Sequence, residues 1–501
     1  MKYRSSGVLM HISSLPGPCG IGSFGKEAVA FAELIKSMGF SYWQTLPFAT
    51  TDSCNSPYTS FSAFAGNPFF IDLPTLKEDG LITEEELREN SYHEPYAVDF
   101  QWLNETRMPL LRKAFSRLDA KGREKVAVFC KENNYWLPDF ALYMALKDQH
   151  DQLDWPDWEA PLRLRDSAAI KKAKETLAEE ILFYEFVQYE FFTQWKAVKK
   201  KINDLGIQMI GDMPMYLALR SADVWSNQQL FQLDKDGNPA QCAGCPPDYF
   251  AADGQFWGNP IYNWDVMKRT GYDWWLKRIG MALKTYDMVR IDHFRAFSAY
   301  WSIPADAETA KEGKWVKGPG MDLFSKVFKT FDHPQIIAED LGDIDEDVVK
   351  LIQETGLPGM RVLQFGFIDN ADNLHLPHNI PKNALAYTGT HDNDTLLGWI
   401  FGAEPWQRDN ALRYCSFDGD WREGGYKSKV CHAMIRTLWQ CPAQITLLPI
   451  QDLCGYGTDT RMNRPGVAEG NWAFRITEQA LRELDCDWML ETNRVYRRSS
   501  R

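Results

Sequence analysis

The sequence predicts an α/β chain, a (β/α)8 TIM-type barrel with inserted, partly helical subdomains in its βα loops. Three observations carry that prediction. Eight short apolar runs recur along the chain, amphipathic helical stretches precede most of them, and several run ends carry carboxylates or histidines. Strand-length apolar runs alternating with helical periodicity are the signature of βα units. Eight such units are what a closed parallel barrel requires.

The runs are residues 7–12, 42–46, 208–212, 288–292, 335–339, 361–365, 385–388 and 444–449. Helical patterns at 26–38, 181–205, 272–286, 321–331, 344–355 and 426–440 lead into the second, third, fourth, fifth, sixth and eighth of them. Asp343 with Glu346 reads as a capping box for 344–355, and Gly356 as its stop. No helix is expected before the seventh run, because 370–382 is rich in Pro, Asn and His.

The connections are uneven. About 160 residues separate the second and third runs, where a βα loop usually takes roughly 2–6. Helical patterns at 83–90, 105–118, 122–133 and 139–147 mark an inserted helical subdomain at 70–180. Residues 218–262, rich in Gly, Pro, Asn and aromatics, read as an inserted substrate-binding lobe with little regular structure, and 399–423 as a smaller insertion. The whole of 1–501 is then a single catalytic barrel.

Composition narrows the function. The net charge of −13 argues against nucleic-acid and anionic-membrane partners, which need a basic footprint. No apolar run approaches the roughly 20 residues of a membrane span, and the opening residues lack a signal region, so a cytoplasmic protein is expected. Ten scattered cysteines are not a disulfide framework. Cys242 and Cys245 form the only close pair; no second pair follows, and Pro246-Pro247 comes next. They read as reduced structural thiols rather than metal ligands. Aromatics reach 14%, with 19 Trp, and some stand among Gly, Pro and Asn, as in 255–264. Rings in such a setting suit the C–H faces of sugars.

A parallel barrel gathers the C-terminal ends of its strands on one face. Read in order, those ends carry His11, Asp212, then Arg290, Asp292 and His293, then Glu339 and Asp340, then His391, Asp392 and Asp394. Four acidic ends on one rim make a converging site, whereas one alone would read as a structural ion pair. No GxGxxG, P-loop, HxH or HExxH spacing marks a nucleotide or metal site, so neither cofactor nor metal is expected. Acetal chemistry fits this inventory: one carboxylate attacks the anomeric carbon and a second protonates the leaving oxygen. Asp292 is the candidate nucleophile, with Arg290 two residues earlier to ion-pair with it. Glu339 is the candidate acid, its proton held by the neighbouring carboxylates, Asp340 among them.

These residues sit in motifs that run nearly the whole chain: Ser56-Pro-Tyr58 through Pro68, Gly211-Asp212-Met-Pro-Met-Tyr216, Pro246-Pro-Asp248-Tyr-Phe250, Trp257-Gly-Asn-Pro260, Gly271-Tyr-Asp-Trp-Trp275, Ile337-Ala-Glu339-Asp-Leu-Gly342, Gly389-Thr-His391-Asp392 and Met462-Asn463-Arg-Pro-Gly466. Together they resemble the 4-α-glucanotransferases (amylomaltases, or disproportionating enzymes) of the α-amylase clan. The resemblance implies that Asp292 is the nucleophile, Glu339 the general acid/base and Asp392 the transition-state stabiliser. It further implies that Arg290 orients the nucleophile, His293 and His391 bond sugar hydroxyls around the scissile ring, Asp212 is a polar contact on the same rim and Tyr58 stacks on the sugar bound there. Gln255 and Trp257 would line the acceptor side, and Asn463 is a further candidate for substrate binding. For Tyr58 and Trp257 the structural alternative is core packing. Phe474 stands where the family pattern has Trp. The implied donors are α-1,4-glucans and the acceptors glucose or maltooligosaccharides, without a cofactor. A hydrolytic α-amylase-type enzyme and a non-catalytic glucan-binding barrel remain as alternatives, and oligomeric state is not legible.

Overall fold

The computed structural model describes residues 4–51, 54–92, 94–247, 252–467 and 469–499. Among the described residues twelve strands form in chain order: β1 (Ser5–Leu9), β2 (Tyr42–Gln44), β3 (Gln208–Met213), β4 (Gln241–Cys245), β5 (Gln255–Pro260), β6 (Met288–Ile291), β7 (Ala299–Pro304), β8 (Lys314–Lys317), β9 (Ile336–Ala338), β10 (Gly359–Val362), β11 (Ala384–Tyr387) and β12 (Ile445–Pro449). Each of the eight expected runs overlaps one of the eight strands of a parallel sheet ordered β10-β11-β12-β1-β2-β3-β6-β9, with ends that differ by up to three residues. The two outer strands meet where Ala338 N donates to Pro358 O at 2.9 Å, which turns the sheet into a barrel.

Side chains alternate across a strand, so every second residue enters the bore. Tyr42, Ile210, Met288, Ile337, Met360 and Leu385 fill it, with Tyr387 and Leu447. Gly7 makes room for them, since a Cβ there would lie 2.6 Å from Tyr42 O and 2.8 Å from Leu447 Cδ2. The outward residues, Val289 and Ile291 among them, belong to the larger apolar layer shared with the surrounding helices.

Helices Lys26–Ser37, Ala178–Asp204, Asp273–Thr285, Met321–Thr330, Glu346–Thr355 and Lys429–Trp439 precede the strands anticipated for them. One cap differs. Asp345, not Asp343, opens Glu346–Thr355, accepting from Val348 N at 3.0 Å. Asp343 lies two residues too early and instead approaches Arg295 at 3.9 Å. Gly356 ends that helix at φ 67°, the left-handed conformation that glycine adopts without strain.

Between β2 and β3 the chain forms Leu73–Glu78, Glu84–Glu89, Phe100–Ser116, Ala120–Glu132, Leu137–Gln149, Ala160–Arg163 and Ser167–Thr176 before the long Ala178–Asp204. Residues 218–262 depart from the expectation of little regular structure. β4 and β5 pair there, and with β7 and β8 they make a second, antiparallel sheet ordered β5-β4-β7-β8. A register shift between Cys242 and Gly244 breaks the period-two pattern that would have revealed them. Cys242 is buried in β4, and burial pushes its thiol up. Among the described residues no helix is long and apolar enough to cross a membrane, and no group of three or more His, Cys, Asp and Glu side chains is placed to hold a metal ion.

Candidate active site

Strand register builds the site. Asp212 and Arg290 are directly paired positions on β3 and β6, and both lie one pleat above residues that fill the bore, Ile210 and Met288. Their side chains must therefore meet inside the barrel. Arg290 Nη1 donates to Asp212 Oδ2 at 2.6 Å and Arg290 Nη2 to Asp292 Oδ1 at 2.8 Å. Burial opposes the Arg290 charge, but Asp212 and then Asp292 outweigh it and hold the guanidinium well above its ordinary value. Asp212 has no exposed side-chain surface. Tyr58 Oη also donates to its Oδ2, at 2.8 Å, while Oδ1 has no hydrogen-bond partner among the described residues. Asp292 is different: its side chain is 30% exposed, which leaves it open to a ligand.

Glu339 follows β9 directly and stands beside Asp292. Its Oε2 accepts from His293 N and its Oε1 from Leu341 N, both at 2.7 Å. His293 reaches that position with φ 49°, a left-handed conformation that costs a non-glycine residue about 1–3 kcal/mol and is tolerated mainly at functional sites. Burial pushes the Glu339 carboxyl up to about 7, reinforced by Asp292 and opposed by Arg290 and the two backbone donors. Asp340 does not share in this, contrary to the sequence expectation. Adjacent strand residues point to opposite faces, and Asp340 turns outward to accept from Met360 N at 2.6 Å and Arg361 Nη1 at 2.8 Å.

The loop after β11 supplies the opposite wall. Asn463 Nδ2 donates to Asp392 Oδ1 at 2.6 Å, His391 Nε2 lies 3.3 Å from Asp392 Oδ2, and Arg461 donates to the Asp392 carbonyl. The rings of Tyr58 and His391 stack at 5.1 Å and 14°, linking this wall to Asp212. His11 sits beneath, its ring 3.0 Å from Thr45 Oγ1; burial and the nearby His391 push it down to about 3.

On the remaining side, the Trp257 ring meets His293 edge-on at 5.0 Å, and its Nε1 donates to Gln255 Oε1 at 3.0 Å. Burial lowers His293 to about 4, so its ring is neutral near pH 7. Trp257 is 37% exposed, which rules out core packing for that ring. Tyr58 is partly buried against the core. The motif segment 248–250 lies outside the described residues.

Sequence reading missed two supports of the Asp392 wall. Asp452, buried on helix Ile450–Cys454, accepts from Thr388 Oγ1 at 2.6 Å and from Leu396 N at 2.7 Å, clamping both ends of the loop that carries His391 and Asp392. Burial pushes its carboxyl up to about 7. Trp472 packs 5.8 Å from Tyr58 and 5.9 Å from His391. The position of Asp452, just beyond the eighth apolar run, was a signal available in the sequence; Trp472 had none.

A family model described as 4-alpha-glucanotransferase matches residues 10–481. The 4-alpha-glucanotransferase of Thermus thermophilus is 45% identical over 483 residues, 94% of this chain and 95% of that protein. The one from Streptococcus pneumoniae serotype 4 is 43% identical over 99% of this chain and 98% of its own length. Among solved structures, an amylomaltase from Streptococcus agalactiae in complex with acarbose superposes with a TM-score of 0.95 at 39% identity, covering 99% of this chain and 100% of that one. An amylomaltase from Corynebacterium glutamicum shares the fold, with a TM-score of 0.79 at 18% identity, covering 98% of this chain and 75% of that one. A barrel with this acidic rim, matched along nearly its whole length, belongs to the 4-alpha-glucanotransferase family.

Proposed function

We propose that the chain moves a segment of a 1,4-α-D-glucan to the 4-hydroxyl of a glucose or glucan acceptor by double displacement with retention, and that Asp292, Glu339 and Asp392 carry the chemistry. The observation that most supports this is the contrast between two adjacent carboxyls. Asp292 is partly exposed and ion-paired to Arg290, whereas Glu339 is buried and pushed up to about 7. One is equipped to attack and the other to give and take a proton near neutrality.

In the first half-reaction an Asp292 oxygen forms a bond to the anomeric carbon. The bond from that carbon to the glycosidic oxygen breaks, and Glu339 gives its proton to the departing oxygen. In the second, Glu339 takes the proton of the acceptor hydroxyl, whose oxygen displaces Asp292 and restores an α-linkage. Asp392 meets the oxocarbenium-like charge on the ring, steadied by Asn463. Tyr58, stacked on His391, offers a face to the bound sugar, and Asp212, Arg290 and the neutral His293 provide polar contacts around it. Trp257, partly exposed beside Gln255, lines the acceptor side. Holding the acceptor against such a surface favours transfer over attack by water.

Incubation with maltotriose tests the proposal. Glucose and a ladder of longer maltodextrins are expected, with no rise in total reducing ends. A rise in reducing ends points to the hydrolytic reading, and an unchanged mixture removes enzymatic action on this substrate. Trapping a glycosyl ester on Asp292 tests its role directly.

A further inference from the structure

A second cavity, of ≈ 470 Å³, lies behind the acidic rim. Three helices converge on it: Ala120–Glu132, Ala178–Asp204 and Asp273–Thr285. They bring five lysines to its lining, Lys125, Lys196, Lys199, Lys200 and Lys284, against one lining carboxylate, Glu132. Lys199 pairs with Asp287 at 3.1 Å and Lys200 with Asp204 at 2.6 Å. Lys125, Lys196 and Lys284, one from each helix, make no hydrogen bond or ion pair among the described residues. Asp204, Asp287, Glu190 and, beside Glu190, Asp79 stand around the cavity and offset the charge of the region, but the described lining itself stays positive in a chain whose net charge is −13. The helix dipole accounts for Lys284, in the last turn of its helix, but not for Lys125 and Lys196, which stand about two turns from the C-terminal ends of theirs.

Aromatic rings stand among the apolar and polar residues that complete the lining. Phe129, Tyr189, Phe192 and Trp195 contribute to it. Phe129 packs 5.9 Å from both Tyr189 and Phe192, and Trp195 is fixed by donating to Thr285 O at 2.9 Å. Rings beside unpaired ammonium groups suit a ligand with a flat apolar part and several negative charges. The three unpaired lysines, spread over three helices, suit charges spaced along a chain better than a single phosphate. Pockets for such small molecules usually span about 300–1,000 Å³. Phe192, Met281 and Thr285 also line the cavity holding Tyr58 and Asp212, so the two spaces share a wall but not their charged groups.

We propose that this cavity is a binding site for a nucleoside polyphosphate, with Lys125, Lys196 and Lys284 on the phosphates and the aromatic rings against the base. The probe is ATP, titrated into the full chain by calorimetry at low salt, with EDTA present so that no divalent ion masks its charge. One ATP per chain is expected to bind saturably with a Kd below about 1 mM, weakening as salt is raised. The double variant Lys196→Ala with Lys284→Ala is expected to weaken binding at least about tenfold. Its maltotriose disproportionation without ATP should be unchanged, because neither exposed lysine touches the rim; that activity also reports its folding. Adenosine and glucose 1-phosphate should each bind at least about tenfold more weakly than ATP. No saturable ATP binding overturns the proposal. So does ATP binding that survives in the double variant, or glucose 1-phosphate binding as tightly as ATP.

Discussion

Replacing Glu339 with Gln should reveal, in stability rather than in rate, how strongly the barrel resists a charge at this position. The folded protein holds the Glu339 proton up to about pH 7, against an ordinary value of 4.5. At ~1.4 kcal/mol per tenfold, that difference is about 3 kcal/mol. Because folding raises this value, the wild-type protein has its full stability below the ordinary value and loses it as pH rises through about 7. Glu339→Gln does not titrate, so its stability relative to wild type should climb by about 2–3 kcal/mol between roughly pH 5 and pH 8. The two donors are served by different oxygens of Glu339, so in the variant either His293 N or Leu341 N faces an amide NH2 group in place of an acceptor. The resulting loss, about 1–3 kcal/mol, is independent of pH and only offsets the whole curve. At roughly 2 cal/mol/K per residue, a chain of this size shifts by about 1 °C per kcal/mol. Thermal midpoints of both proteins across that range should therefore diverge by about 2–3 °C in favour of the variant. A constant difference would refute the claim that burial, and not the local hydrogen bonds, sets the proton affinity of Glu339.

The same carboxyl should govern rate. Initial rates on maltotriose should fall as pH rises through about 7, since the proposed acid must begin protonated; a rate still flat two pH units higher would contradict that role. Arg290→Met leaves Asp212 buried without its counter-charge, a loss of about 3–5 kcal/mol. Equilibrium unfolding that detects no change would show the ion pair to be energetically idle. Asp452→Asn keeps the shape of the clamp but gives up one acceptor. The expected result is a fall in kcat of about tenfold, from roughly 1.4 kcal/mol of lost positioning, with KM within about twofold. A change confined to KM would assign Asp452 to substrate binding instead.

How much could be read without coordinates depended on how local the cause was. The eight barrel strands were legible because each is a short apolar run with its own turn. Asp212, Arg290, Asp292 and Glu339 were legible because they sit at or next to the ends of those runs. β4 and β5 were not, since a bulge at Cys242–Gly244 and the glycines break their alternation. Trp472 reaches Tyr58 and His391 from more than 80 residues away, and no periodicity reports such a contact.

The sequence alone determined the period of the chain, and with it the barrel, the acidic rim and the family motifs, because hydrophobic patterning acts residue by residue. Tertiary structure decided which carboxyl keeps its proton. Asp340 was expected to raise Glu339, yet the pleat turns it outward to Arg361, and Glu339 is raised by burial and Asp292. A carboxyl's affinity for its proton depends on desolvation and on charges a few ångströms away, and both arise only when strands distant in sequence close into one ring.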